Sequence, residues 1–541
     1  MKKIKYLHII LITILMVGSC KQEPIIPKTA DPVVPTTPSK GSADFTKFVA
    51  VGNSFVAGMQ SFALFNTSQA NSMARIMAKQ FETVGGPTTF NQPDIGSVNG
   101  YNPINSIPGV IKLGRLILFD PDGPTGSRSA APYPSAYPGA AAVTCPSAVP
   151  ATPPLPSPYN TADLPTAFGG NKAALNNFGV PLIYTGQAVL PDTGNPASPY
   201  YSGLWARFAS APGVKSIAQD AAAAAGTFYL IWLGFDDVLL YAATGADAVS
   251  AGTYPMTSSA AFNGAYDGVM ATLLTGTTFK GVVGNVPNFT SLPYFYTVPW
   301  NTITLNAATA TTLTTNLSTN YNLFLEAMVT NTIITAAERD KRKLTFVAGK
   351  NGVLLSDDVG YSAGGLTDLT PYMTGPYAGL APYALARQAT STDLVPLAAG
   401  SVLGTCNGGN PSAVWGVSFP LPDKYILTGA ETTAILTRTG EFNAKISATV
   451  TANSTRLALA DVNKGYADFV TARAAVSDGV TITPSFAPPT GAWSEDGLHP
   501  NSRGYAFTAN IFIDAINTKF TAVIPKASLA SYLGTGLPIN P

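Results

Sequence analysis

Asp496 and His499 stand three residues apart in the stretch EDGLHPNSRGY, and the 541-residue chain has only two histidines. A turn with that spacing lets the carboxylate accept the Nδ1 proton of the imidazole. The carboxylate then fixes the tautomer and stabilises the imidazolium that forms when Nε2 takes up a proton. An unperturbed imidazole titrates at about 6.5, which makes it the natural base near neutral pH. A base of this kind needs a hydroxyl to serve, and Ser54 is placed as a nucleophile should be. It follows the apolar run KFVAVG at a Gly52-Asn53 turn, with Ala57 and Gly58 leaving room for close backbone approach. Taken singly, each residue also has a plainer reading: Ser54 as a helix N-cap, His499 as a loop residue with a local hydrogen bond.

The other histidine, His8, lies in an opening segment of a different kind. Residues 1–19 combine a lysine-rich start, an apolar run from Leu7 to Val17 and small residues before Cys20, the layout of an export signal. The run is shorter than the roughly 20 apolar residues of a membrane-spanning helix. Val17-Gly18-Ser19-Cys20 resembles the lipobox of bacterial lipoproteins, which implies cleavage before Cys20 and acylation of that cysteine. Several chains on one residue anchor a protein stably, whereas a single chain is marginal. Lys21 after Cys20 leans toward the outer membrane. Residues 20–44, with prolines at 24, 27, 32, 35 and 38, read as an extended tether. Removing Lys2, Lys3 and Lys5 takes the basic count from 31 to 28 against 30 acids, a net charge near −2. That balance carries no nucleic-acid footprint.

The elements that must position Ser54 and His499 are visible as apolar runs. KFVAVG (47–52), FYLIWLG (228–234), FKGVVGNV (279–286), KLTFVAG (343–349) and RLALADV (456–462) are apolar enough to be buried on both faces, as strands of a parallel sheet are. Helical patterns lie at 70–84, 214–226, 315–339 and 501–520. The expectation is an α/β fold, a three-layer α/β/α sandwich with a mostly parallel sheet, spanning 45–525. In such a sheet ligands bind beyond the carboxyl ends of the strands, which is where Ser54 stands. Pro500 keeps His499 out of helical dihedrals, in the loop before the last helix, which Asn501 or Ser502 can cap. Two coil-rich stretches, about 119–205 and 356–422, read as insertions on the rim of the sheet, and 526–541 reads as a tail. Cys145 and Cys406 invite a disulfide in an exported protein, with two free buried thiols as the rival, and neither has histidine neighbours for a metal.

Together these residues resemble the SGNH (GDSL) hydrolases, in particular large lipoprotein members. FVAVGNSFVAG is similar to the first block of that family, EDGLHPNSRGY to the last block with its D-x-x-H, NPINSIPGV to the block that lends a glycine amide, and IWLGFDDVLLYA to the G-x-N-D block. QANSMARIMAKQF, FNQP and GNVPNFTSLPYF extend the likeness over most of the chain outside the insertions. The resemblance implies a flavodoxin-like fold and a metal-free, cofactor-free esterase. Ser54 would be the nucleophile, His499 the base and then acid, Asp496 its partner. The oxyanion hole would comprise the N–H groups of Ser54 and Gly109 and the residue at 236.

At that last position the family has asparagine, and this chain has Asp236, followed by Asp237. An ionised carboxylate cannot donate to an oxyanion, and losing one donor costs about 10² to 10³ in rate. Three resolutions stay open: a protonated Asp236 that donates, replacement by Asn53 or Asn288, or a slow enzyme. Asp236 also has the bland reading of a cap at a strand-to-helix turn. The expected substrate is a carboxylic ester, lipid or acylated glycan. The rivals are a catalytically weak surface binder on the same fold and a mostly helical nutrient-capturing lipoprotein, which the β-branched runs oppose.

Overall fold

The computed structural model describes residues 37–98, 100–101, 114–119, 131–134, 167–247, 252, 254–357 and 365–536. Cys20, Gly109 and Cys145 lie outside them. The chain divides into two units, Met1–Thr37 and Pro38–Pro541, and the architecture that follows belongs to the second. Among the described residues no helix is long and apolar enough to cross a membrane.

Five strands build the central sheet: β1 (Phe48–Gly52), β2 (Asn177–Gly179), β3 (Phe228–Trp232), β4 (Lys280–Gly284) and β5 (Leu457–Ala460). All pairings are parallel, in the order β5-β4-β3-β1-β2. The fold is therefore α/β. Every residue of β1 and β3 is buried, as strands covered on both faces must be. The main helices are α1 (Ser54–Ala57), α2 (Met73–Glu82), α3 (Ile217–Ala223), α4 (Asp236–Ala243), α5 (Ser259–Leu274), α6 (Gly429–Ala452), α7 (Val462–Ala472) and α8 (Ser502–Phe520). Phe48 and Phe228 pack edge-on against Phe81 of α2, Phe228 edge-on against Phe520 of α8, and Trp232 tilted against Phe512 of α8. Tyr229, one residue along and hence on the other face, donates its hydroxyl to Ala221 O of α3 at 3.0 Å. Helices thus pack on both faces, an arrangement compatible with three layers.

The strand order places β1 between β2 and β3. The connection leaving β1 runs to one side of the sheet, and from β3 onward the chain builds the other side. Such a switch opens a crevice beyond the carboxyl ends of β1 and β3. Ser54 follows β1 and Asp236 follows β3, so both stand at its mouth.

The structure corrects several expectations. The stretch 343–349 is not a strand of the sheet: Leu344 and Phe346 are buried while Val347 is 51 % exposed, so it buries one face only. Those two side chains join Tyr321, Phe324 and Leu325 in a second apolar cluster that also takes in the helix expected around 315–339. The fifth strand is instead β2, inside the stretch 119–205 that read as an insertion. The other stretch, 356–422, contributes to two satellite clusters and a ribbon of Leu354–Ser356 with Ala386–Gln388. Helices α5, α6 and α7 gave no early sign. Cys406 is buried and disulfide-bonded.

The tether docks earlier than residue 44, because Ser39 exchanges backbone hydrogen bonds with Val523 at 3.1 and 2.7 Å. The tail is docked too, with Thr535 Oγ1 donating to Trp493 O at 2.7 Å. Helix α8 has 19 residues and therefore runs about 28 Å. Its N-cap Asn501 adjoins His499, while its far end meets Ser39, so the chain enters the unit at the pole opposite Ser54.

Candidate active site

Ser54 is the first residue of α1, directly after the buried β1. Its cap is Asn53, whose Oδ1 accepts from Phe55 N at 3.1 Å. The capping role that Ser54 could have played thus falls to its neighbour, and the Ser54 hydroxyl is left for the crevice. Its N–H, in the first turn, has no intrahelical acceptor. β2 closes in on this turn: a Cβ on Gly179 would lie 2.4 Å from Ala57 N, so only glycine lets β2 and α1 pack this closely.

His499 lies in the loop before α8, which Asn501 caps by accepting from Gly504 N at 3.0 Å. Its Nδ1 is 2.7 Å from Asp496 Oδ2. The same carboxylate accepts from Leu498 N and His499 N at Oδ1 and from Phe62 N at Oδ2, each at 2.8 Å. Burial raises the Asp496 carboxyl, but the His499 charge and these bonds outweigh it and hold it below its ordinary range. An ionised Asp496 requires the proton on Nδ1 and leaves the Nε2 lone pair as the base. Nε2 is buried without a hydrogen-bond partner.

Distant parts of the chain meet here: the Phe55 ring lies 5.3 Å from the imidazole, tilted against it. Ser54 and His499 are nevertheless not hydrogen-bonded to each other. The Ser54 hydroxyl instead donates to Asp236 Oδ2 at 3.4 Å and accepts from Leu182 N at 3.1 Å. Ser54, Asp236 and Asp496 are 0 % exposed and His499 1 %. In apo sites such contacts are often long and tighten only when substrate binds.

Asp236 is the first residue of α4, but Phe235, without a side-chain bond, is the N-cap. The carboxylate is aimed at Ser54 rather than at the end of its own helix. Burial pushes it up to about 7; His499 pulls it down, Asp237 pushes it up, and the Ser54 bond pulls it down. Asp237 is raised by burial as well, although Thr185 N and Oγ1 donate to its Oδ2 at 2.9 and 2.7 Å. Asp236 Oδ1 and Asn53 Nδ2 are buried without a partner. Of the two asparagines weighed as substitutes, Asn53 therefore has a donor to spare beside the nucleophile. Asn288 uses its Oδ1 to cap the turn at 289–291, and Gly109 lies outside the described residues.

Leu182 gave no sign in the sequence. It follows β2 in NFGVPLIYTG and adopts a left-handed φ of 57°, a conformation that costs a leucine about 1–2 kcal/mol and aims its N–H at Ser54 Oγ. The cue was a short strand followed by Val-Pro, hidden within what read as coil. A cavity of about 350 Å³ bordered by Arg387, Asp393 and Gly429 shares none of these residues. Within it Arg387 is paired to Asp393 at 2.7 and 2.9 Å. No group of three or more potential metal ligands occurs among the described residues. Comparison with known proteins adds no relative: no family model, no curated protein and no solved structure matches the chain.

Proposed function

We propose that the chain is a serine ester hydrolase of SGNH type on a three-layer, flavodoxin-like α/β/α fold. The single observation that carries this reading is the imidazole of His499, tied through Nδ1 to a buried Asp496 with Nε2 unpartnered, next to a serine at the switch crevice. In the proposed cycle His499 Nε2 takes the Ser54 proton as Oγ attacks the ester carbonyl. The imidazolium returns that proton to the departing alcohol, leaving an acyl-serine. Water, deprotonated by the same nitrogen, then releases the carboxylic acid and restores Ser54. The oxyanion would be met by the Ser54 N–H, by Gly109 as the resemblance implies, and by Asn53 Nδ2 or a neutral Asp236, which donates as a carboxylic acid does in an apolar site.

The substrate is a carboxylic ester, lipid or acylated glycan. With export and lipidation at Cys20, the protein is held on the cell envelope, at the outer membrane in our reading. The Ser54–Asp236 contact favours one alternative, a weakly active or inactive binder on the same fold. Hydrolysis of p-nitrophenyl acetate and labelling by a fluorophosphonate decide between them. Turnover lost in Ser54→Ala and His499→Ala, with the label on Ser54, is the expected result. Absence of serine-dependent turnover and of label would favour the binder.

A further inference from the structure

The turn at Ser61 and Phe62 is costly in isolation. Gln60 and Ala63 exchange backbone hydrogen bonds at 2.9 and 2.8 Å across it, and its two central residues have φ of 51° and 56°. A two-residue turn with positive φ at both positions is the place for Asn-Gly or Gly-Gly, because a Cβ is crowded there. This chain puts a serine and a phenylalanine at those positions.

The conformation sends two consecutive N–H groups toward the catalytic loop. Ser61 N donates to Ser494 Oγ at 2.8 Å, and Phe62 N donates at 2.8 Å to Asp496 Oδ2, the oxygen that holds His499 Nδ1. Ser61 Oγ reaches Glu495 Oε2 at 2.5 Å. Three successive residues of the loop are thus gripped by two residues far away in sequence. The Phe62 ring meets the imidazole edge-on, centroids 6.5 Å apart. Strain of this kind persists only where the surroundings over-determine it, and it clusters at functional sites.

We infer that the Ser61–Phe62 turn is the positioning device of the Asp496–His499 pair, its left-handed backbone spending conformational energy to aim the Phe62 N–H at the carboxylate. The inference rests on the esterase reading only for its catalytic consequence. The Phe62 N–H acts through Asp496.

The decisive variant replaces Phe62 by phenyllactate through nonsense suppression, turning one amide into an ester, which deletes the N–H and weakens the Ser61 carbonyl as acceptor for Leu116 N. In the full chain carrying His8→Gln, His499 is the sole imidazole, and the solvent exchange of its low-field Nδ1 proton is read by NMR. The expected result is exchange faster by about tenfold or more and kcat lower by a similar factor, with KM little changed. Phe62→Gly, which keeps the N–H and accepts positive φ, should exchange at nearly the parent rate. Unchanged exchange in the ester form, an increase no larger than its loss of global stability explains, or an equal increase in Phe62→Gly would each overturn the inference. If the parent itself cleaves no ester, the esterase reading falls while the exchange rates still decide the role of the turn.

Discussion

The hydroxyl of Ser54 points at Asp236, 3.4 Å from its Oδ2, while the imidazole that should accept its proton has an unpartnered Nε2. Two acids of opposite behaviour therefore serve this site, Asp236 at the serine hydroxyl and Asp496 at the imidazole. Asp496 stays ionised because backbone donors and the imidazole surround it, whereas Asp236 is driven toward neutrality by burial with fewer compensating bonds. Environments that push neighbouring carboxyls apart mark acid and base assignments.

Asp236→Asn should raise kcat for p-nitrophenyl acetate at pH 8 by about tenfold or more, since it exchanges an ionised group for a donor. With Asp236 titrating at about 7, wild-type kcat should fall between pH 6 and 8 as the carboxylate ionises, and the Asn form should lack that fall. An Asn form no faster than wild type would remove position 236 from the oxyanion hole.

The same group makes stability depend on pH. Its native pKa is raised from 3.8 to about 7, so the native state holds a proton that the unfolded chain releases between those values. Stability is then lost as pH rises through that window, on the order of 1.4 kcal/mol for each pH unit crossed and a few kcal/mol at most. Thermal unfolding of Asp236→Asn and wild type should give similar midpoints near pH 4 and diverge in favour of the variant by pH 8. Constant spacing across that range would show that Asp236 is not buried in its neutral form.

Asp496→Asn retains the shape but loses the charge and allows the wrong imidazole tautomer. A kcat lower by about 10⁴ with KM little altered is expected from steady-state hydrolysis. A loss below tenfold would mean that His499 is oriented by something other than this carboxylate.

Gly179→Ala tests the packing under the nucleophile. Its Cβ would sit 2.4 Å from Ala57 N and 2.7 Å from Val56 C, both backbone atoms that cannot swing aside. Denaturant unfolding should show a loss of about 1–3 kcal/mol, accompanied by slower fluorophosphonate labelling of Ser54. A variant as stable as the parent would show that β2 and α1 have room to separate.

Some of this architecture is carried by local chemistry. Phe48–Gly52, Phe228–Trp232, Lys280–Gly284 and Leu457–Ala460 announce themselves because an apolar run with no polar alternation has to be buried on both faces, whatever its partners. The Asp496-x-x-His499 turn and the Asn501 cap are equally local, since their bonds close within a few residues. Other features depend on contacts that no short window contains. Asn177–Gly179 is too short and too plain to read as a strand until Phe48–Gly52 lies beside it. Leu344 and Phe346 look like sheet core until alternate residues are seen to face solvent. Leu182, Phe62 and the tilt of Asp236 toward Ser54 arise from contacts between residues 128 to 434 positions apart. Their backbone strain and raised carboxyl are properties of the packed interior, where desolvation and long-range hydrogen bonds set energies that residue type alone does not.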